Sequence, residues 1–173
     1  MTFALDLTEE QAAIKHAVEE ICAKYDDHYW LNVDNSGEFP NAFVNDIAEG
    51  GWLGVAMPES VGGAGLGLTE AALMMQTVAA SGAGFSGASA IHLNIFGLMP
   101  IVKFGTPEQQ QRFLPPAIDG TDKACFAVTE PNSGLDTSSL ETRAERANSG
   151  YRINGRKIWT TNAQRANKIL IIA

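Results

Sequence analysis

Apolar positions follow a helical period through the first two thirds of the chain and then change to short extended runs. Ile14, Ala17, Val18, Ile21, Cys22 and Tyr25 recur at steps of three and four, which is one face of an α-helix. Thr8 stands where a cap belongs and Gln11 completes a capping box, so a helix is expected to open there. His16 and His28 fall off this apolar face and are expected on the solvent side or in a loop. A second helix is expected over Pro40 to Glu49, with Phe43 and Ile47 on one face and Gly50-Gly51 ending it. The next is expected from a Thr69 cap through Leu73, Met74, Val78 and Ala79 to Gly82, followed by a small-residue loop over Ser81 to Gly87. Helical spacing resumes near Ala88 through Ile91, His92, Ile95 and Phe96, with Gly97 and Pro100 breaking it. Thr106-Pro107-Glu108-Gln109 is a further helix start, stopped by Pro115-Pro116.

Beyond Gly120 the pattern is that of strands. Phe126 to Thr129 is a short apolar run broken by Glu130-Pro131-Asn132-Ser133-Gly134, whose turn chemistry leaves backbone N–H groups outside any ladder. Asn154-Gly155, flanked by Tyr151 to Ile153 and Arg156 to Thr161, predicts a hairpin, because a type I′ turn needs positive φ at both central residues. That register sets Tyr151 opposite Ile158 and puts Trp159 and Thr161 on one strand face. Ile169 to Ala173 reads as a buried strand. Helices followed by strands, without βαβ alternation, predict an α+β chain: an all-helical unit over 1–120 and the start of a β unit over 121–173.

Composition narrows the function. With 173 residues, 45 % hydrophobic and 18 % charged, the chain belongs among globular proteins. A net charge of −8 with both signs interspersed argues against general nucleic-acid binding or a polybasic membrane surface. The amino-terminal residues carry no basic and apolar signal pattern, and no apolar run approaches a membrane span, so a cytoplasmic protein, or one imported without its presequence shown, is expected. Cys22 and Cys125 lack a Cys-x-x-Cys or His partner and read as small buried hydrophobes, not as a metal site or a disulfide. The glycines of Gly62 to Gly67 match neither a dinucleotide fingerprint nor a P-loop, and there is no Gly-x-Ser-x-Gly elbow. One aromatic and one hydroxyl beside a turn with open amides suit a planar, phosphate-bearing ligand. The same residues also read as a buried Trp159 and an ordinary turn, and spacing leaves both readings open.

Phe126-Ala-Val-Thr-Glu-Pro-x-Ser-Gly-x-Asp136, followed by Ile153-Asn-Gly-x-Lys-x-Trp-x-Thr-Asn162, resembles the flavin-binding signature of the acyl-CoA dehydrogenase family. Val102 to Pro115 resembles the family's segment just before it. The resemblance covers essentially the whole chain, but less than half of a family member. It implies an N-terminal helical domain and the first strands of a β-barrel-like middle domain, with the family's C-terminal helical bundle absent. It implies FAD as cofactor, held by Phe126, Val128, Thr129, Gly134, Leu135, Trp159, Thr160 and Thr161. Phe126 and Val128 would line the isoalloxazine edge, Thr129 would bond its pyrimidine side, Trp159 would cover a face and Thr161 would reach toward N5. Ser89, His92 and Phe96 fall where the family's helix lines the acyl pocket, although a lone His on an apolar helix face is also a common core residue.

The implied reaction is oxidation of an acyl-CoA to the 2-enoyl-CoA, with electrons passed to an electron-transfer flavoprotein by a dimer or tetramer. The family's catalytic base lies in its C-terminal part, so no catalytic residue is assigned in this chain. Leu135 departs from the family's Gly-Ser-Asp and removes a hydroxyl expected near the FAD pyrophosphate and the CoA arm. Two rival readings are another flavoenzyme on the same scaffold, of the flavin monooxygenase or nitroalkane oxidase type, and a non-catalytic binding or assembly module.

Overall fold

The computed structural model describes residues 6–173, so the amino-terminal stretch over 1–5, read above for a signal pattern, lies outside the described residues. Two compact units follow one another, the first ending at Thr121 and the second spanning Asp122–Ala173. The first is all helix: α1 Glu9–Cys22, α2 Asp27–Ser36, α3 Asn41–Glu49, α4 Leu68–Val78, α5 Gly84–Phe96, α6 Met99–Phe104, α7 Pro107–Phe113 and α8 Pro115–Ile118. Thr8 and Gln11 form the anticipated capping box on α1, and Thr106 and Gln109 form another on α7. Each box satisfies amide groups that would otherwise lack partners at a helix start.

The core of this unit is built where the helical period pointed. Val18, Phe43, Ile47, Met74, Ile91 and Ile95 are fully buried in one cluster, and burying each such side chain stabilises the fold by about 1.5–3 kcal/mol. Cys22 also lies in this cluster, and burial pushes its thiol pKa up. Apolar spacing gives no warning of α2, because Trp30 alone of its residues is buried. Its ring meets Phe43 at 5.1 Å between centroids. The Asp26 side chain caps α2, and His28 is therefore an exposed helix residue.

Three boundaries differ from expectation. α3 begins at Asn41, with Pro40 as its cap residue. α4 begins at Leu68, where the Glu70 carboxylate accepts from the Gly67 N–H at 3.0 Å. The small-residue loop expected over Ser81 to Gly87 is a widened turn over Ala79–Ala83, and α5 already starts at Gly84. An 18-residue stretch within Leu68–Phe104 reaches a mean hydropathy of 1.4, so a membrane-span composition is present after all. Positive φ at Gly82 and Gly84 breaks this run, leaving α4 at 11 and α5 at 13 residues. A span needs about 20.

The second unit contains two small sheets. β1 (Ala124–Ala127) pairs in parallel with β4 (Lys168–Ile171), Phe126 standing opposite Leu170. β2 (Arg143–Ala147) and β3 (Gly150–Asn154) form an antiparallel hairpin in which Tyr151 faces Arg146. The hairpin loop is therefore Asn148-Ser149 and not Asn154-Gly155, and Ile158 is not Tyr151's partner. Neither loop residue adopts positive φ, so the turn carries no Asn-Gly signal for a sequence reading to find. Gly155 serves another purpose. A Cβ there would lie 2.6 Å from the Thr142 Cβ and 2.7 Å from its Cα, so only glycine lets β3 leave past Thr142. β4 is half exposed and not buried, since Ile169 and Ile171 face solvent.

Candidate flavin cradle and acyl cavity

The second unit gathers the two signature segments around one buried carboxylate. Glu130 lies at the turn after β1 with its side chain only 4 % exposed. Its carboxylate accepts from the Glu141 N–H at 2.6 Å, the Thr142 N–H at 2.9 Å, the Thr142 hydroxyl and the Lys157 ammonium at 2.9 Å. The Lys157 ammonium and the Thr142 hydroxyl hold its pKa down at about 2, from an ordinary 4.5. Lys157 also donates to the Val128 carbonyl at 2.8 Å, and the Ile158 N–H donates to the Thr129 carbonyl at 3.0 Å. The segment carrying Trp159 is thereby fastened alongside Val128 and Thr129.

Trp159 is neither a core residue nor a strand residue. Residues 155–160 form no ladder, and Trp159 has φ 56° and is 86 % exposed. A bulky side chain on left-handed backbone is a strained arrangement. Trp159 and Thr161 therefore share no strand face. Thr160 is half-buried and Thr161 exposed. Phe126, Val128 and Thr129 are half-buried, while Gly134 is exposed and Leu135 fully so. Asp136 organises the loop that carries them: its carboxylate accepts from the Ser138 N–H at 3.1 Å and from the Ser138 and Ser139 hydroxyls. Those serine bonds lower the Asp136 pKa.

These features fit a flat, hydrogen-bonding, phosphate-bearing group. An indole face lies open, and no protein acceptor meets the N–H of Gly134 or Leu135 among the described residues. The Thr129 hydroxyl and the indole N–H of Trp159 are open in the same sense. The sequence reading named these wall residues but gave Glu130, Thr142 and Lys157 no role. Glu130 and Lys157 each lie within one of the two signature segments, which was the available signal; nothing marked Thr142.

In the helical unit, Ser89, His92 and Phe96 line one cavity of about 410 Å³ with Ala72, Met75 and Phe85. All three lie on α5 at helical spacing. The Nδ1–H of His92 donates to the Ser89 carbonyl at 3.0 Å, which turns the ring's other nitrogen away from that bond.

Known proteins resemble this chain in sequence and fold. The acyl-CoA dehydrogenase N-terminal domain matches residues 8–121, and the acyl-CoA dehydrogenase middle domain matches residues 125–173. This chain belongs to the acyl-CoA dehydrogenase family. A probable acyl-CoA dehydrogenase of Bacillus subtilis, YngJ, is 36 % identical over 97 % of the chain, which spans 44 % of that relative's length. The crystal structure of acyl-CoA dehydrogenase from Geobacillus kaustophilus superposes with a TM-score of 0.84 at 27 % identity, over 97 % of this chain and 44 % of that one. An acyl-CoA dehydrogenase from Bacillus anthracis complexed with FAD gives 0.83 at 28 %, over 97 % of this chain and 29 % of that one. The fold is accordingly the family's helical N-terminal domain followed by a few strands of its middle domain.

Proposed function

We propose that this protein is an FAD-dependent oxidoreductase that converts an acyl-CoA thioester to the 2-enoyl-CoA. The observation that carries the reading is Trp159, an open indole on left-handed backbone fastened beside Val128 and Thr129. Phe126 and Val128 would line the edge of the bound flavin ring, and the Thr129 hydroxyl would be a hydrogen-bonding group for it. Trp159 would cover one face, with Thr160 and Thr161 following it. The Gly134 and Leu135 amides would serve the pyrophosphate. Bound FAD supplies the acceptor for the hydride that leaves the substrate's β carbon. Hydrogen bonds aimed at the ring favour its electron-rich reduced form, which is the protein's share of such chemistry.

The acyl chain occupies the cavity of Ser89, His92 and Phe96, whose walls are mainly apolar; each methylene buried there favours binding by about 0.8 kcal/mol. Loss of the α-proton requires a base, and none of the described residues is assigned that role. An electron-transfer flavoprotein is the acceptor consistent with this reading. The test is a titration of the protein with FAD, followed by the visible flavin spectrum. Uptake with a changed spectrum, weakened in Thr129→Ala and Trp159→Ala, is expected. A spectrum identical to free FAD at all ratios would reject the reading.

A further inference from the structure

Lys157 does more than neutralise the buried Glu130 carboxylate. Both charged side chains are nearly removed from solvent, at 11 % exposure for Lys157 and 4 % for Glu130. A buried pair of this kind roughly breaks even against well-packed apolar residues, so stability alone is a poor reason for it. What it supplies is placement. Lys157 reaches the Val128 carbonyl at 2.8 Å, and the next residue's N–H reaches the Thr129 carbonyl at 3.0 Å. These bonds join two segments that share no other ladder. The residue that follows is Trp159 at φ 56°, one of two non-glycine residues with positive φ among those described, the other being Asn162. Strain of this sort persists only where the surroundings over-determine it.

We propose that Lys157 and Glu130 are positioning residues of the flavin cradle: anchored on Glu130, Lys157 clips its own segment to Val128–Thr129 and so holds Trp159 in the left-handed conformation that presents its indole. This rests on the flavin reading above. Without the clip, Trp159 relaxes to negative φ and the indole swings away from the wall formed by Val128 and Thr129. Glu130 cannot be replaced by solvent as the anchor, because its other oxygen bonds are already committed to Glu141 and Thr142 in a buried turn.

The test is a double-mutant cycle of Lys157→Met and Trp159→Phe in the full chain, with FAD dissociation constants measured well below the melting temperature. Lys157→Met is expected to weaken FAD binding about tenfold in the wild-type background and about twofold or less in the Trp159→Phe background, which is the signature of coupled residues. Lys157→Arg, which keeps the cation and its reach, is expected to recover most of the loss. A folded Lys157→Met protein with unchanged affinity, or equal losses in both backgrounds, would overturn the proposal; a purely structural pair lowers the melting temperature and nothing else. Should Lys157→Met fail to fold, Glu130→Gln replaces it in the cycle with the same expectations. If the wild-type protein or Trp159→Phe takes up no measurable FAD, the near-ultraviolet circular dichroism of Trp159 decides instead, taken as the difference from Trp159→Phe. Its loss in the clip variant supports the inference even where the flavin reading fails, and its persistence overturns it.

Discussion

At the scale of single residues, Leu135 is the clearest departure from the family pattern, and its placement removes an ambiguity. A leucine pointing inward would leave only its N–H toward a ligand and cost little, but this side chain is fully exposed. Leu135→Ser therefore adds a donor on the open side of the loop. Hydrogen bonds to charged groups contribute roughly 1.5–3 kcal/mol net, and the lower bound is about a tenfold change in dissociation constant. FAD titration of both variants should show tighter binding for Leu135→Ser; equal affinities would mean the backbone amide alone makes this contact. Glu130 sets a second expectation. Its folded pKa is depressed, so the stability it contributes is fully present above its ordinary value of 4.5 and is lost as pH falls toward about 2. Denaturation followed from pH 5 to pH 2 should show the second unit weakening across that window, and Glu130→Gln should flatten the slope there.

At the scale of elements, legibility followed local signals. α1 and α7 were readable because each opens on a capping box, joined in α1 by apolar residues at helical spacing and in α7 by Pro at the first position, and α3 was readable from Phe43 and Ile47 on one face. α2 was not, since a single buried Trp30 makes no periodic face. The hairpin was placed one turn too late because Asn154-Gly155 has the composition of a type I′ turn while the true loop, Asn148-Ser149, has no positive φ. The residues proposed to hold the flavin were legible as motif letters, and their geometry was not: no local pattern reveals that Trp159 leaves the strand conformation or that Thr142 sits on Glu130. Gly155 shows what local pattern misreads. Its role is close approach, and Gly155→Ala would drive a methyl into the Thr142 backbone, which cannot rotate away. Overpacking of this kind costs about 1–3 kcal/mol. Urea unfolding should show the midpoint falling accordingly, with weaker FAD binding as a consequence of the displaced Glu130 anchor. An unchanged midpoint would mean that β3 can shift without cost.

At the scale of the whole molecule, the helical unit buries large side chains in one cluster, whereas the second unit relies on short strands and one buried polar network. β2 and β3 are exposed along their entire length, and β1 with β4 makes a sheet of only two strands. The outer edge of β4 has no further ladder among the described residues, and such an edge is a template for pairing with another chain. β4 adds the matching side chains: Ile169 is 48 % and Ile171 37 % exposed, in an uncharged, β-prone run over 169–172. The net charge of −8 opposes association at low salt, but at 0.1 M ionic strength charges are screened beyond about 10 Å. Self-association should therefore rise with protein concentration and with salt, which would not be the order expected of contacts between opposite charges. Ile169→Lys should suppress it by placing a strongly hydrated charge on the edge strand while leaving the backbone pairing to β1 in place, since the side chain at this position already reaches solvent. Sedimentation velocity at two salt concentrations measures both effects. A monodisperse wild-type chain at high salt would mean that the β4 edge is already protected, and the substitution would then change nothing.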